Sequence, residues 1–282
     1  AFSYRNYDLT STTARAAQTG IGFHAVNSDV SISSLQDGSP NPGSCGGLPG
    51  NWQASGNDVM VVASRNYTGW RLDNSRLHGG FQRKTPTSEM TGGMTSSEVN
   101  TGYGMILNNS EIDLVGLIDI YGNDKGIQAY NSQMKFDNLC IEAHEKEGLR
   151  AKNSVFEFNS VAQPAAAGQA GRRQVDFLHN GQHIDLQSQS DFVFSRKNHI
   201  PELYGWTRFK GSFGGLDYDG AAQANLPAIS VNRNSNLELV SPNILARDAG
   251  LMVPNVPNYG LGIKTTNNST TSLFGTGTGA TF

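Results

Sequence analysis

The sequence is poor in charge: acidic and basic side chains make up 16% of its 282 residues and leave a net charge of −3. No basic stripe appears, so the electrostatic footprint expected of a nucleic-acid partner is missing. No apolar run approaches the ~18–20 residues that a membrane-spanning helix requires, which argues against membrane insertion. Cysteine is nearly absent. The two present are Cys45 and Cys140, and no Cys/His cluster points to a metal or any other cofactor. Cys140 falls in an apolar run and reads as a buried core thiol, while Cys45 sits in the loop Gly43-Ser-Cys-Gly-Gly47 with nothing to pair the two. A leucine frame and 3.6-residue periodicity are also lacking, which argues against leucine-rich and helical repeats. What abounds is Gly, Ser, Asn and Thr, a turn-rich composition.

Within that composition one motif recurs at an interval of 22 residues. It runs Gly104-Met-Ile-Leu-Asn-Asn-Ser110-Glu-Ile-Asp-Leu114, then Gly126-Ile-Gln-Ala-Tyr-Asn-Ser132-Gln-Met-Lys-Phe136, then Gly148-Leu-Arg-Ala-Lys-Asn-Ser154-Val-Phe-Glu-Phe158. Apolar residues alternate on both sides of the Asn-Ser pair, the period-two pattern of strands with one buried face. A second apolar run, Leu117-Ile-Asp-Ile120 and then Leu139-Cys-Ile-Glu-Ala143, completes the unit. About three short strands per unit describe one coil of an all-β, right-handed parallel β-helix with about 22 residues per coil. Met134, Phe136, Phe156 and Phe158 should then point inward and stack on their 22-residue counterparts. Asn131-Ser132 should occupy a corner between Asn109-Ser110 and Asn153-Ser154, where Asn tolerates left-handed angles and its amide can form a ladder.

Looser copies extend the pattern over most of the chain. Gly22-Phe-His-Ala-Val-Asn-Ser28 matches at each structural position, and Leu72-Asp-Asn-Ser75 is a shorter echo. The copies ending at Ser190, Ser235 and Ser269 are one-residue variants. Because these outlying copies are not spaced by multiples of 22, insertions must bulge from a single domain over 1–282, near 36–57, 82–100, 161–173 and 200–227. The chain reads as part of a longer or processed polypeptide.

Two groups of residues are candidates for function. The segment 200–227 sets Tyr204 and Trp206 beside Arg208, Asp217 and Asp219. Rings that stack on sugar faces and polar groups that bond hydroxyls suit glycan contact; the same rings would equally cover a coil side or a neighbouring chain. Asp119 and Glu142 are 23 residues apart and are expected side by side on the outer face of the third strand. Glycoside hydrolysis uses two carboxylates about 5–5.5 Å or roughly 6.5–9.5 Å apart, so this pair is the catalytic candidate. Outward carboxylates are also what any solvated coil displays.

The Gly-apolar-x-apolar-x-Asn-Ser coils, interrupted by long irregular segments, resemble the pectate-lyase-like β-helix proteins of tailed bacteriophages: tailspikes, tail fibres and other virion surface proteins. The resemblance implies a homotrimer on the virion surface, in contact with other virion proteins, that binds host surface polysaccharide. It carries over no catalytic residue, because the Asn-Thr-Asp, Asp-Asp, Gly-His-Gly and Arg-Ile-Lys motifs of polygalacturonases are not found. Enzymatic action is therefore left open. A polysaccharide depolymerase (hydrolase or lyase) and a secreted or cell-surface bacterial adhesin are the alternative expectations.

Overall fold

Parallel pairing joins all 22 strands of the computed structural model, whose described residues are 3–5, 20–35, 60–64, 66–82, 94–98, 100–142, 144, 146–158, 175–178, 180–194, 207–210, 229–240, 243–245 and 263–274. Among them every element is a strand. Eight strands form one sheet, ordered Ile21–Val26, Thr68–Asp73, Tyr103–Asn108, Lys125–Tyr130, Glu147–Lys152, Gln182–Gln187, Ile229–Val231, Ile263–Thr265. The other 14 form a larger sheet made of two ribbons. The long strands Glu111–Tyr121 and Gln133–Glu142 belong to both ribbons: their first halves pair in one, their second halves in the other. Through its centre the chain visits the small sheet, then the first ribbon, then the second, and returns beside its previous pass.

The length of a pass varies. Tyr103 lies beside Lys125 and Ile127 beside Leu149, steps of 22, but Ile21 lies beside Thr68, a step of 47, and Ile184 beside Ile229, a step of 45. The extra chain leaves between strands, so register inside the sheets survives. Two segments that read as insertions rejoin the second ribbon: Met94–Glu98 lies within 82–100, and Thr207–Lys210 lies within 200–227. Both are too short and too polar for alternation to mark them. The segments 36–57 and 161–173 lie outside the described residues.

The interior is filled by columns of side chains set by parallel register. On the small sheet Trp70, Met105, Ile127, Leu149, Ile184 and Ile229 form one buried column. Facing it, Leu77, Ile112, Met134, Phe156, Phe192 and Leu237 form another, and Phe136 stacks beside Phe158 with ring centroids 5.8 Å apart. Phe156 and Phe192 lie nearly parallel, 17° between planes at 6.4 Å. Met134, Phe136, Phe156 and Phe158 thus all point inward, as their alternation requires. Cys140 departs from expectation. It is buried but disulfide-bonded rather than a core thiol. Leu139 and Ile141 take the two inward positions around it, so the period of two puts Cys140 on the opposite face, apart from the core cluster. The chain's other cysteine, Cys45, lies outside the described residues.

The corner after each strand of the small sheet turns through a left-handed residue. Asn27, Asn74, Asn109, Asn131 and Asn153 all have φ between 47° and 52°. The turn aims the N–H of the following serine at the next pass, where a serine hydroxyl receives it. Ser28, Ser75, Ser110, Ser132, Ser154, Ser190 and Ser235 each donate their backbone N–H to the Oγ of the next corner serine at 3.1 Å, ending at Ser269. In the central corners each Oγ donates to the carbonyl two residues before it, as Ser132 does to Tyr130. In the one-residue variants it reaches three residues back, Ser190 to Gln187 and Ser235 to Asn232. There two left-handed residues replace one: Ser188-Gln189, Arg233-Asn234 and Asn267-Asn268. The inserted residue is absorbed in the corner. The amide ladder is present only in pieces, with Asn153 donating to Asn131 at 2.8 Å and Asn109 to Asn74 at 3.3 Å.

A second, buried ladder closes the corner that leads into the small sheet. Asn66, Asn100, Asn123, His144 and Asn180 follow one another from pass to pass. From Asn100 onward each Asn Oδ1 accepts the backbone N–H of the preceding rung, at 2.8 Å from Asn66 to Asn100, 2.9 Å from Asn100 to Asn123 and 3.2 Å from His144 to Asn180. His144 replaces the amide in one rung: Nδ1 accepts from the Asn123 N–H at 3.1 Å, and Nε2 donates to the Ile120 carbonyl at 3.1 Å. The ladder passes directly over the glycines. A Cβ on Gly126 would lie 2.0 Å from the Gly148 carbonyl oxygen and 3.0 Å from the His144 ring, so no larger residue fits.

Two measurements test this packing. Phe136→Ala should lower unfolding free energy by about 3–5 kcal/mol in denaturant titration, the range for a buried aromatic truncation. The second concerns His144, whose pKa burial pushes down from 6.5 to about 4 against the opposing pull of the Asn123 and Ile120 backbone. Between those values the unfolded chain binds the proton and the folded chain does not, so stability falls as pH drops through the window, by about 3 kcal/mol in all. His144→Asn restores an amide rung and should flatten the slope between pH 6.5 and 4.

Candidate functional site

The residues nominated from sequence are only partly brought into view. Tyr204, Trp206, Asp217 and Asp219 lie outside the described residues. Arg208 is in the strand Thr207–Lys210 of the second ribbon, between Asp176 and Asn243 in register. Asp119 pairs with Cys140, a step of 21, and Glu142 pairs with Tyr121. Asp119 and Glu142 are therefore on neighbouring strands but two residues out of line, which strand geometry converts to about 8 Å between Cα atoms.

The described side chains converge elsewhere, on the outer face of the small sheet. At one end Tyr67 is 45% exposed, and its ring meets that of Tyr103 edge-on at 5.9 Å. Gly102 makes this possible, since a Cβ there would lie 2.8 Å from the Tyr67 ring. Lys125 Nζ sits 5.0 Å over the Tyr103 ring on the next strand. Further across, Tyr130 is 37% exposed and its hydroxyl is 3.5 Å from Gln128 Oε1. Tyr103 and Tyr130 come from successive strands and Tyr67 from the corner that enters the strand before them, so strand pairing sets their order.

The same face carries two carboxylate clusters, one to either side of Tyr130 in strand order. In the first, Arg150 bridges two buried acids: its Nε donates to Asp185 Oδ2 at 2.9 Å, and its terminal nitrogen pairs with Glu147. Gln187 Nε2 donates to the same Asp185 oxygen at 2.7 Å. In the second, Asp73 accepts from Arg71 Nε at 2.8 Å, Asn108 Nδ2 at 2.6 Å and His24 Nε2 at 2.8 Å. Burial alone would raise the Asp73 pKa, but the bonds from Arg71, Asn108 and His24 outweigh it and hold the carboxyl at about 2. On neighbouring strands, Gln128 Nε2 and Glu147 Oε2 are buried without a hydrogen-bond partner among the described residues, so some bonding capacity on this face is unused.

A general acid at neutral pH needs a carboxyl whose pKa is raised. Among the described residues the acid pushed upward is Asp191, by burial first and by the charge of Glu238. It lies on the first ribbon of the larger sheet, not on this face. No protein-family model, no curated protein and no solved structure matches this chain.

The sequence reading missed this face because its residues fill the polar, alternate positions that any solvated strand shows. The signal available was the recurrence of tyrosine at polar strand positions, at Tyr103 and Tyr130, together with Tyr67 in the corner. The buried Asn/His ladder was likewise missed, although each Asn precedes a glycine-bearing strand start, as in Asn123-Asp-Lys-Gly126. Arg150→Ala should cost about 3 kcal/mol in urea unfolding at pH 7, because Glu147 and Asp185 would remain buried without their shared cation.

Proposed function

We propose that this chain is a virion surface protein of the tailspike or tail-fibre type, with a structural role and a host-glycan-binding role. In this reading its passes are the coils of a right-handed parallel β-helix with 22-residue central coils, and it assembles as a homotrimer against other virion proteins. The observation that carries the binding role is the outer face of the small sheet. Exposed Tyr67 and Tyr130 supply apolar ring area, while Arg150, Asp185 and Gln187 on one side of Tyr130 and Arg71 and Asp73 on the other are held by hydrogen bonds. Rings beside prearranged planar polar groups are suited to stacking on sugar faces and orienting hydroxyls. The tight pairing of the carboxylates on this face favours a binder over a depolymerase.

Purified protein should be retarded by host surface polysaccharide in affinity electrophoresis. Tyr67→Ala and Tyr130→Ala should weaken that retardation by roughly tenfold together, the scale of one to two aromatic contacts at ~0.5–1.5 kcal/mol each. Their melting temperatures should stay within a few degrees of the parent, since both rings are exposed. Retardation unaltered in the double variant would remove this face from the reading, and release of reducing sugar would favour the depolymerase.

A further inference from the structure

The corner that carries the serine line also leaves a groove of about 720 Å³ across five successive passes. The exposed amides of Asn27, Asn74, Asn109, Asn131 and Asn153 run along it in order. Beside them, in register from strand to strand, run Asp29, Arg76, Glu111 and Gln133. The corner serines Ser75, Ser110 and Ser132 lie buried in the same lining. No apolar side chain contributes.

We infer that this groove binds an extended, uncharged, hydroxyl-rich polymer, a neutral polysaccharide strand lying along the stacking direction. The inference rests on the glycan-binding reading above and assigns it a second contact surface and a ligand class. An amide carries both donors and an acceptor, as a hydroxyl does, so a row of amides can match a row of hydroxyls. The internal bonds leave that capacity open: Asn109 Nδ2 is given to Asn74 and Asn153 Nδ2 to Asn131, while the Nδ2 of Asn74 and Asn131 donates to no other amide of the row. Strand spacing sets the five amides about 4.8 Å apart, over about 19 Å in all. That is the reach of a chain of several sugars rather than of one small molecule. The nearly identical left-handed angles place every asparagine Cβ alike at the corner, so the backbone needs little ordering on binding.

Charge decides between neutral and acidic polymers. Two carboxylates, Asp29 and Glu111, line the groove against one guanidinium, that of Arg76. Arg76 Nε already lies 3.6 Å from Glu111, and Asp29 pairs with His78 at 3.0 Å. A uronate or other acidic sugar chain would meet no free cation here, and its charges would be repelled by the carboxylates.

The test measures binding of a panel of purified neutral and acidic bacterial surface polysaccharides to the full chain by affinity electrophoresis. Glycine accepts the left-handed corner without strain, so Asn109→Gly, Asn131→Gly and Asn153→Gly together remove three amides while keeping the backbone. This triple variant should bind the neutral polymer about tenfold or more weakly, as expected for loss of several hydrogen bonds. Should it melt early, Glu111→Ala with Gln133→Ala removes two polar groups from the row beside the amides, at partly exposed positions, and should also weaken binding. Loss of binding in the Tyr67→Ala/Tyr130→Ala variant with full binding in both groove variants would overturn the groove and leave the glycan reading standing. Binding confined to acidic polymers and abolished by salt would overturn the neutral class. If no polysaccharide in the panel binds, the groove and the glycan reading fall together.

Discussion

Continuity of backbone hydrogen bonding around a sharp corner is the constraint on which the rest of this structure depends. A parallel stack can pair strand with strand indefinitely, but each corner rotates N–H groups away from the carbonyls of the next pass. A buried N–H without a partner is costly. The chain meets this at one corner with a left-handed residue followed by serine, whose hydroxyl stands in for the missing carbonyl. At the other corner a buried asparagine, or in one pass a histidine, does the same with its side-chain acceptor. The two corners differ in consequence. The serine line leaves exposed amides beside a groove, whereas the asparagine line lies inside and admits only glycine beneath it.

Once the corners hold, register follows, and register sets everything that lies across the strands. The aromatic columns in the interior, the phenols on the outer face and the Arg150 bridge between two acids each join residues from different passes. Each pass can then shed a long excursion between strands without disturbing its neighbours. That separates the scaffold, which repeats, from the segments between strands, which do not.

The inward positions of Phe136 and Phe158 and the shared corner of Asn131-Ser132 were legible because each follows from a local rule, the strand period of two and the left-handed tolerance of asparagine. The strands at Met94–Glu98 and Thr207–Lys210 were not, since short polar segments join a sheet only when a neighbouring edge is already in place. The same holds for Cys140: an apolar run of three, Leu139-Cys-Ile141, does not reveal that its middle residue faces away from the core until Ile118 and Ile120 have fixed the inward pair. The catalytic candidates Asp119 and Glu142 came from counting residues, and a step of 21 between their strands puts them out of line. The glycan candidates around Trp206 were chosen for composition, while the face that gathers phenols and fixed polar groups drew them from separate passes.

The sequence by itself determined the all-β character, the alternating interior and the place of each Asn-Ser turn, because these depend on the stereochemistry of neighbouring residues along the chain. Only the tertiary structure decided how far apart in sequence two adjacent strands stand, from 21 to 59 residues, and so which side chains meet across them. It also decided that serine, rather than asparagine, carries the continuous line through the corner. The reason is geometric. A hydroxyl can bridge a donor in one pass and a carbonyl in the next only after stacking has brought the two passes to strand spacing, and no local pattern encodes that approach.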